Sequence, residues 1–191
     1  MLDKAIQFAT EAHGSQVRKY HGTPYISHPL AVAEIVKTVP HTEEMLVAAV
    51  LHDVVEDTPV TIEQITEKFG EKVSELVFFL TDVSKLEDGN RAHRKQLDAE
   101  HNAKGSAEAQ TVKVADLIHN SIDISIHAPT FWQVYKIEKL NTEPGTRWPL
   151  GGTLSLALRG APEQVTFEPL GRFQMRGLGY TSPEWGHGMR H

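Results

Sequence analysis

Chemistry-bearing residues are densest at Leu51-His52-Asp53-Val54-Val55-Glu56-Asp57-Thr58, where three carboxylates and one imidazole fall within six residues. On a continuous helix Asp53 and Asp57 stand one turn apart, as do His52 and Glu56, so the four side chains share a polar patch. The patch closes an apolar run, Met45 to Leu51. It is either a solvated helix end or a set of ligands carried into an interior cleft. Two further segments favour the second reading. Asp116 stands in Val112-Lys113-Val114-Ala115-Asp116-Leu117-Ile118, a largely apolar stretch where a lone carboxylate is costly unless paired or metal-bound. Asn120 follows four residues later on the same face. His28 lies in Pro24-Tyr25-Ile26-Ser27-His28-Pro29, where the following proline is expected to hold it extended at a helix mouth. Taken singly, His28 serves equally as a cap and Asp116 as a buried acceptor. Jointly the residues supply two imidazoles and two carboxylates.

The chain has no cysteine, which excludes disulfides and thiolate metal sites. A His/Asp set without sulfur suits Mn²⁺ first, then Fe²⁺ or Zn²⁺. Four protein ligands leave an octahedral ion open positions for water and a phosphate oxygen. The ion lowers the pKa of its water and polarises the phosphoryl group. Glu56 and Asp57, beside the ligands, are placed to position that water and handle its protons.

Positioning these groups requires helices. Apolar residues recur with helical period through Leu2 to Ala12, Leu30 to Val36, Met45 to Val54 and Val73 to Leu80. Pro29 suits a first helical position, Thr42 can cap a helix from Glu43, and Thr61 with Gln64 forms a capping-box pattern. Gly70 separates two more helices. Another is predicted from Asn90 to about His101, a long one from Ser106 to roughly Ile124, and a last one from Pro129 to about Leu140. No strand alternation of useful length precedes residue 140, so residues 1–140 read as one all-α bundle.

The order of motifs is informative beyond their chemistry. HGSQVRKYHGTPYISHP, then Val50-Leu51-His52-Asp53 followed by VVEDT, then FG, LTDVSK and TVKVADLIHN, resembles the HD hydrolase domain of the Rel/Spo alarmone family, especially its small stand-alone hydrolases. The resemblance runs from about residue 3 to Lys139. It implies an HD-domain helical bundle, one Mn²⁺, and hydrolysis of ppGpp or pppGpp at the 3′-pyrophosphate to GDP or GTP plus pyrophosphate. Carried over residue by residue, it implies His28, His52, Asp53 and Asp116 as metal ligands and Glu56 and Asp57 as the acidic pair serving the attacking water. Arg18 and Lys19 match a basic pair approaching the nucleotide, and Asn120 a residue reaching the ribose. His119 departs from the family pattern, where an acidic or aromatic residue is common, and is expected to alter contacts around the sugar. At this length the synthetase and regulatory domains of long family members are not expected, nor is synthesis. A substrate with another 3′- or 2′-phosphorylated nucleotide, and a non-catalytic alarmone-binding module, remain the alternatives.

The substrate's phosphates need cations. Arg18, Lys19, Lys85, Arg91, Arg94 and Lys95 fall in two segments that can flank a cleft, although Asn90 to Lys95 reads equally as an exposed helix face. Lys113 is expected to point away from Asp116 and snorkel to solvent. A net charge of −6 argues against nucleic-acid binding, and the longest apolar run, Leu76 to Leu80, is too short to span a membrane. With no secretory pattern in MLDKAIQFATEAH, a cytoplasmic location is expected. Composition fixes no oligomeric state.

Composition breaks after Asn141. Every Lys lies at or before Lys139 and every Asp at or before Asp123, whereas residues 141–191 hold five Arg and nine of the 14 Gly. This marks a Gly/Pro/Arg-rich tail under different constraints, such as a frame change or fused segment, expected to be irregular. Weak alternation in Thr153 to Leu158 and Gln164 to Phe167 permits short strands.

Overall fold

A computed structural model describes residues 1–142, with side chains placed for 1–139, and three short strands at 165–167, 173–175 and 180–181. The helical part runs α1 (Leu2–His13), α2 (Ser27–Val36), α3 (Glu43–Leu51), α4 (Val54–Asp57), α5 (Ile62–Phe69), α6 (Glu71–Leu80), a 3₁₀ turn (Leu86–Asp88), α7 (Arg91–Asn102), α8 (Ala107–His127) and α9 (Pro129–Thr142). The expected all-α bundle is therefore present.

Helix α3 is the hub. Every residue from Met45 to Leu51 is buried, as an apolar sequence without a polar face demands. Helices α1, α2, α6 and α8 pack around it. Leu51, Ile65 and Leu76 are fully enclosed, each contributing about 1.5–3 kcal/mol by leaving water. A second apolar seam joins α8 to α9 through Leu117, Ile124, Trp132 and Tyr135. It hangs α9 beside the central bundle.

The capping signals correspond to real helix starts. Thr42 accepts from the Met45 amide, Thr61 and Gln64 form the reciprocal capping box, and Ser106 accepts from the Ala109 amide. Gly70, at φ 90°, takes a left-handed conformation between α5 and α6. Helix α8 continues to His127, one turn beyond the expected end near Ile124.

Two local readings need correction. His28 is not extended: α2 already begins at Ser27, and Pro29 sits in its first turn, where a missing N–H costs no helical bond. The segment Met45 to Asp57 is also not one helix. It breaks at His52–Asp53, and Asp53 adopts φ −93° and ψ −7° before α4 begins.

In the tail, β1 (Val165–Phe167), β2 (Phe173–Met175) and β3 (Tyr180–Thr181) form an antiparallel sheet in sequence order. β1 falls on the alternation seen at Gln164 to Phe167. The other expectations for 141–191, including the strand at Thr153 to Leu158, lie outside the described residues.

Candidate active site

The break between α3 and α4 solves a geometric problem. Adjacent residues on a straight helix point about 100° apart and cannot both enter one pocket. The turn at Asp53 swings its carboxylate back toward the His52 ring, leaving His52 Nε2 3.1 Å from Asp53 Oδ2. His28, from the first turn of α2, brings its Nε2 within 3.5 Å of Asp53 Oδ2 and 3.2 Å of Asp116 Oδ1. Asp116, midway along α8, lies 3.6 Å from His52 Nε2. Four side chains from three regions of sequence thus converge.

His52 Nδ1 donates to the Ala49 carbonyl at 2.8 Å. With the ring neutral, its Nε2 then carries a lone pair, buried and with no donor facing it, directed at two carboxylates. Such an arrangement is repulsive unless positive charge lies between them. The proton balance makes the same point. Burial opposes charge on His52, but Asp53 and Asp116 outweigh it and hold its pKa well above the ordinary value. Burial likewise opposes ionisation of Asp53 and Asp116, yet the imidazoles keep both below the carboxylate range. For His28 burial prevails and lowers the pKa. The ligand-capable atoms of His28, His52 and Asp53 all lie within 4.8 Å of one another. This donor set fits a divalent cation of borderline or hard character.

Supporting bonds fix the cluster. The Tyr25 hydroxyl donates to Asp53 Oδ2 at 2.7 Å, and burial with the nearby Asp53 charge keeps that phenol protonated. Asn120 donates to Asp116 Oδ1 at 2.6 Å. Behind His28, its Nδ1 meets His119 Nδ1 at 2.8 Å. His119 therefore touches the back of a metal-binding candidate, not the region expected for a sugar. Burial, then the neighbouring His28 and Arg18, push its pKa well down and keep it neutral.

The cluster opens into a cleft of about 270 Å³ whose lining includes Glu56, Asp57, Arg18, Lys113, Phe131 and Tyr135. Glu56 keeps one side open to solvent. Partial enclosure, then the charges of Asp82 and Asp53, push it up to about 7. Burial and Asp53 raise Asp57 as well. Arg18 donates to Asn120 Oδ1 at 2.9 Å and Asp123 Oδ2 at 2.6 Å.

Other basic residues divide. Lys19 is exposed and does not line the cleft; its ammonium lies 5.5 Å from the Tyr20 ring. Arg94 also lies outside the lining, with its Nε buried, whereas Arg91, Lys95 and Lys139 line it. Lys113 faces inward, 3.6 Å from Asp116 Oδ2, so the expectation of a solvent-directed lysine is wrong.

Several contributors carried no signal at sequence level. Asp98 is buried and accepts from the Val83 and Ser84 amides and the Ser84 hydroxyl. It thereby sets the loop whose Asp82 amide donates to Glu56 Oε2 at 3.2 Å. Tyr25, Phe131 and Tyr135 carry no such signal either: Tyr25 sits in the turn before α2, and the other two read as core in a helical pattern.

The HD domain family matches residues 5–120. The chain belongs to the HD domain family. Within it, the chain is 36% identical to the human guanosine-3′,5′-bis(diphosphate) 3′-pyrophosphohydrolase MESH1 across 72% of this chain and 77% of that one. The Drosophila melanogaster MESH1 is 39% identical, covering 68% and 72%. A solved structure of a metazoan SpoT ortholog, described as hydrolysing ppGpp, superposes with a TM-score of 0.68 at 32% identity, covering 83% of this chain and 91% of that one. An HD domain implies a divalent metal, and the His/Asp cluster of this HD domain has the donors for one. No helix among the described residues is long and apolar enough to cross a membrane.

Proposed function

We propose that this HD domain hydrolyses guanosine 3′,5′-bis(diphosphate) at its 3′-pyrophosphate, releasing GDP and pyrophosphate, or GTP from the pentaphosphate. The observation that carries the reading is the buried His28/His52/Asp53/Asp116 cluster, with the unpartnered His52 Nε2, opening beside Glu56 and Asp57. These four residues would hold one Mn²⁺, with Fe²⁺ or Zn²⁺ as the alternative occupants. A bound ion supplies an acidified water and neutralises phosphoryl charge.

The rest falls to the chain. Glu56, poised near neutrality, takes a proton from the attacking water, and Asp57 orients that water. Water adds to the phosphorus attached to the 3′ oxygen, the bond between that phosphorus and the 3′ oxygen breaks to free pyrophosphate, and the proton held by Glu56 passes to the departing 3′ oxygen, so GDP leaves with a 3′ hydroxyl. Tyr25 holds Asp53 in place through its hydroxyl. Arg18 and Asn120, already bonded to each other, are set to meet the ribose and its phosphate. Lys113, Arg91, Lys95 and Lys139 offset the diphosphate charge, while Phe131 and Tyr135 offer flat apolar faces to the base. We place its action in the cytoplasm, as expected of a chain whose N-terminal residues carry no secretory pattern. A small nucleotide is its partner.

Product analysis with ppGpp and Mn²⁺ tests the proposal. Pyrophosphate and GDP should appear, stop on chelation, return with Mn²⁺, and be absent in Asp53→Ala. Release of single phosphates would overturn the assignment, and tight ppGpp binding without turnover would establish a binding module instead. Competition with other 3′- and 2′-phosphorylated nucleotides reads the base and phosphate preference.

A further inference from the structure

On the side of Arg18 away from the cleft, a second group of metal-capable donors gathers around Asp123. Its Oδ1 lies 2.8 Å from His21 Nε2 and 3.8 Å from His127 Nε2, and the three donor atoms fall within 4.8 Å of one another. A tetrahedral ion with bonds of about 2.0–2.1 Å separates its ligands by roughly 3.3 Å, between those two distances. Asp123 and His127 stand one turn apart at the end of α8. His21 comes from the loop before α2, which is pinned by the Arg18 amide to the Thr23 carbonyl at 2.8 Å and the Gly22 amide to the Arg18 carbonyl at 2.9 Å. The site is preformed, not dependent on a mobile chain.

The contact behind His21 suits a cation on its other nitrogen. Ser27 donates its hydroxyl to the Pro24 carbonyl at 2.8 Å and lies 3.3 Å from the Thr23 hydroxyl. Thr23 Oγ1 lies 3.0 Å from His21 Nδ1 and accepts from it when that nitrogen carries the proton. In that tautomer, which an ion on Nε2 selects, His21 Nε2 presents a lone pair beside the Asp123 carboxylate, so the two can share a cation. A hydroxyl that fixes the outward nitrogen of an imidazole is also how protein metal sites orient their histidines. Asp123 is buried, while His21 and His127 remain partly open to solvent, leaving a path for an ion and a fourth, water position.

We propose that His21, Asp123 and His127 form a second divalent-metal site, of the zinc class given its two nitrogens and one oxygen. The ion takes Asp123 Oδ1 while Arg18 keeps Oδ2. This site is separate from the cleft cluster but joined to it through Arg18, Asn120 and Asp116.

Equilibrium dialysis of the full chain against Zn²⁺, with metal analysis, tests it. Wild type should bind two equivalents and Asp53→Ala, which disables the cleft cluster, one. Adding His127→Gln or His21→Gln to Asp53→Ala should weaken that remaining equivalent at least tenfold, with the circular dichroism unchanged. Co²⁺ in Asp53→Ala should give the intense visible absorption of a tetrahedral site. The proposal is overturned if Asp53→Ala binds no zinc, if the remaining ion survives both histidine replacements, or if His21 is a stable imidazolium by NMR in the presence of zinc. Because the cleft is disabled in these arms, failure of ppGpp turnover is read separately.

Discussion

Glu56 and His119 act on opposite sides of the cleft cluster, and each makes a distinct demand on experiment. A base must be ionised to take a proton, and Glu56 without metal titrates at about 7. The rate should therefore rise with pH and level off above that value, the limb moving lower in the loaded enzyme because a nearby cation favours the carboxylate. Glu56→Gln should remove the limb and lower kcat by about 10²–10⁴-fold; an unchanged profile would remove Glu56 from the proton transfer. His119 meets His28 through their Nδ1 atoms. If His28 ligates through Nε2, its Nδ1–H donates to neutral His119. Replacing that acceptor in His119→Phe should weaken metal affinity by about 10–100-fold, with His119→Gln retaining most of it. Direct metal titration checks this independently of turnover, and equal affinities in all three proteins would reduce His119 to packing.

At the scale of elements, one buried carboxylate organises a wall of the cleft. Asp98 on α7 accepts two amides and a hydroxyl from the segment after α6 and pairs with Lys95 at 3.3 Å. Burial opposes its charge, but the Ser84 amide and Lys95 hold its pKa below the ordinary value. A carboxyl with a lowered folded value stabilises the protein above its unfolded pKa of about 4. That contribution is lost as pH falls through the folded value. Asp98→Ala should cost on the order of 2–4 kcal/mol in urea denaturation by stranding its donors, with faster hydrogen exchange at Val83 and Ser84. No local pattern foretold this role, because Asp98 sits in a strongly polar helix and its partners are fixed only when α7 docks. The caps at Thr42, Thr61 and Ser106 were legible for the opposite reason: their donors lie three residues away. The site was legible in its ligand-type residues and illegible in its supports, since Tyr25, His119 and Phe131 gain meaning only from neighbours distant in sequence. The α3–α4 break was missed because hydrophobic periodicity continues smoothly across it.

For the whole molecule, the apolar seam between α8 and α9 decides how much chain the site needs. Phe131 and Tyr135 line the cleft while Trp132 and Tyr135 pack on Leu117 and Ile124. Arg91 on α7 clasps Glu138 on α9 through two bonds, at 2.8 and 3.1 Å. The division proposed from composition, a hydrolase unit to about residue 140 and a separate tail, therefore predicts that a chain ending at Thr142 keeps its thermal transition and its pyrophosphate release. Loss of either would assign the Gly/Pro/Arg-rich tail to the catalytic unit.

The junction at His52–Asp53 also bears on how this chain tolerates change. Two neighbouring side chains serve one pocket only because the backbone turns between them. One residue inserted or deleted there changes the register in which His52 on one side and Asp53, Glu56 and Asp57 on the other face the pocket. A saturation scan of length variants should show a sharp intolerance at this junction, set against permissive surface connections such as the largely exposed one between α2 and α3. The most constrained quantity in this protein would then be a count of residues between two helices, more than the identity of any apolar residue packed around them.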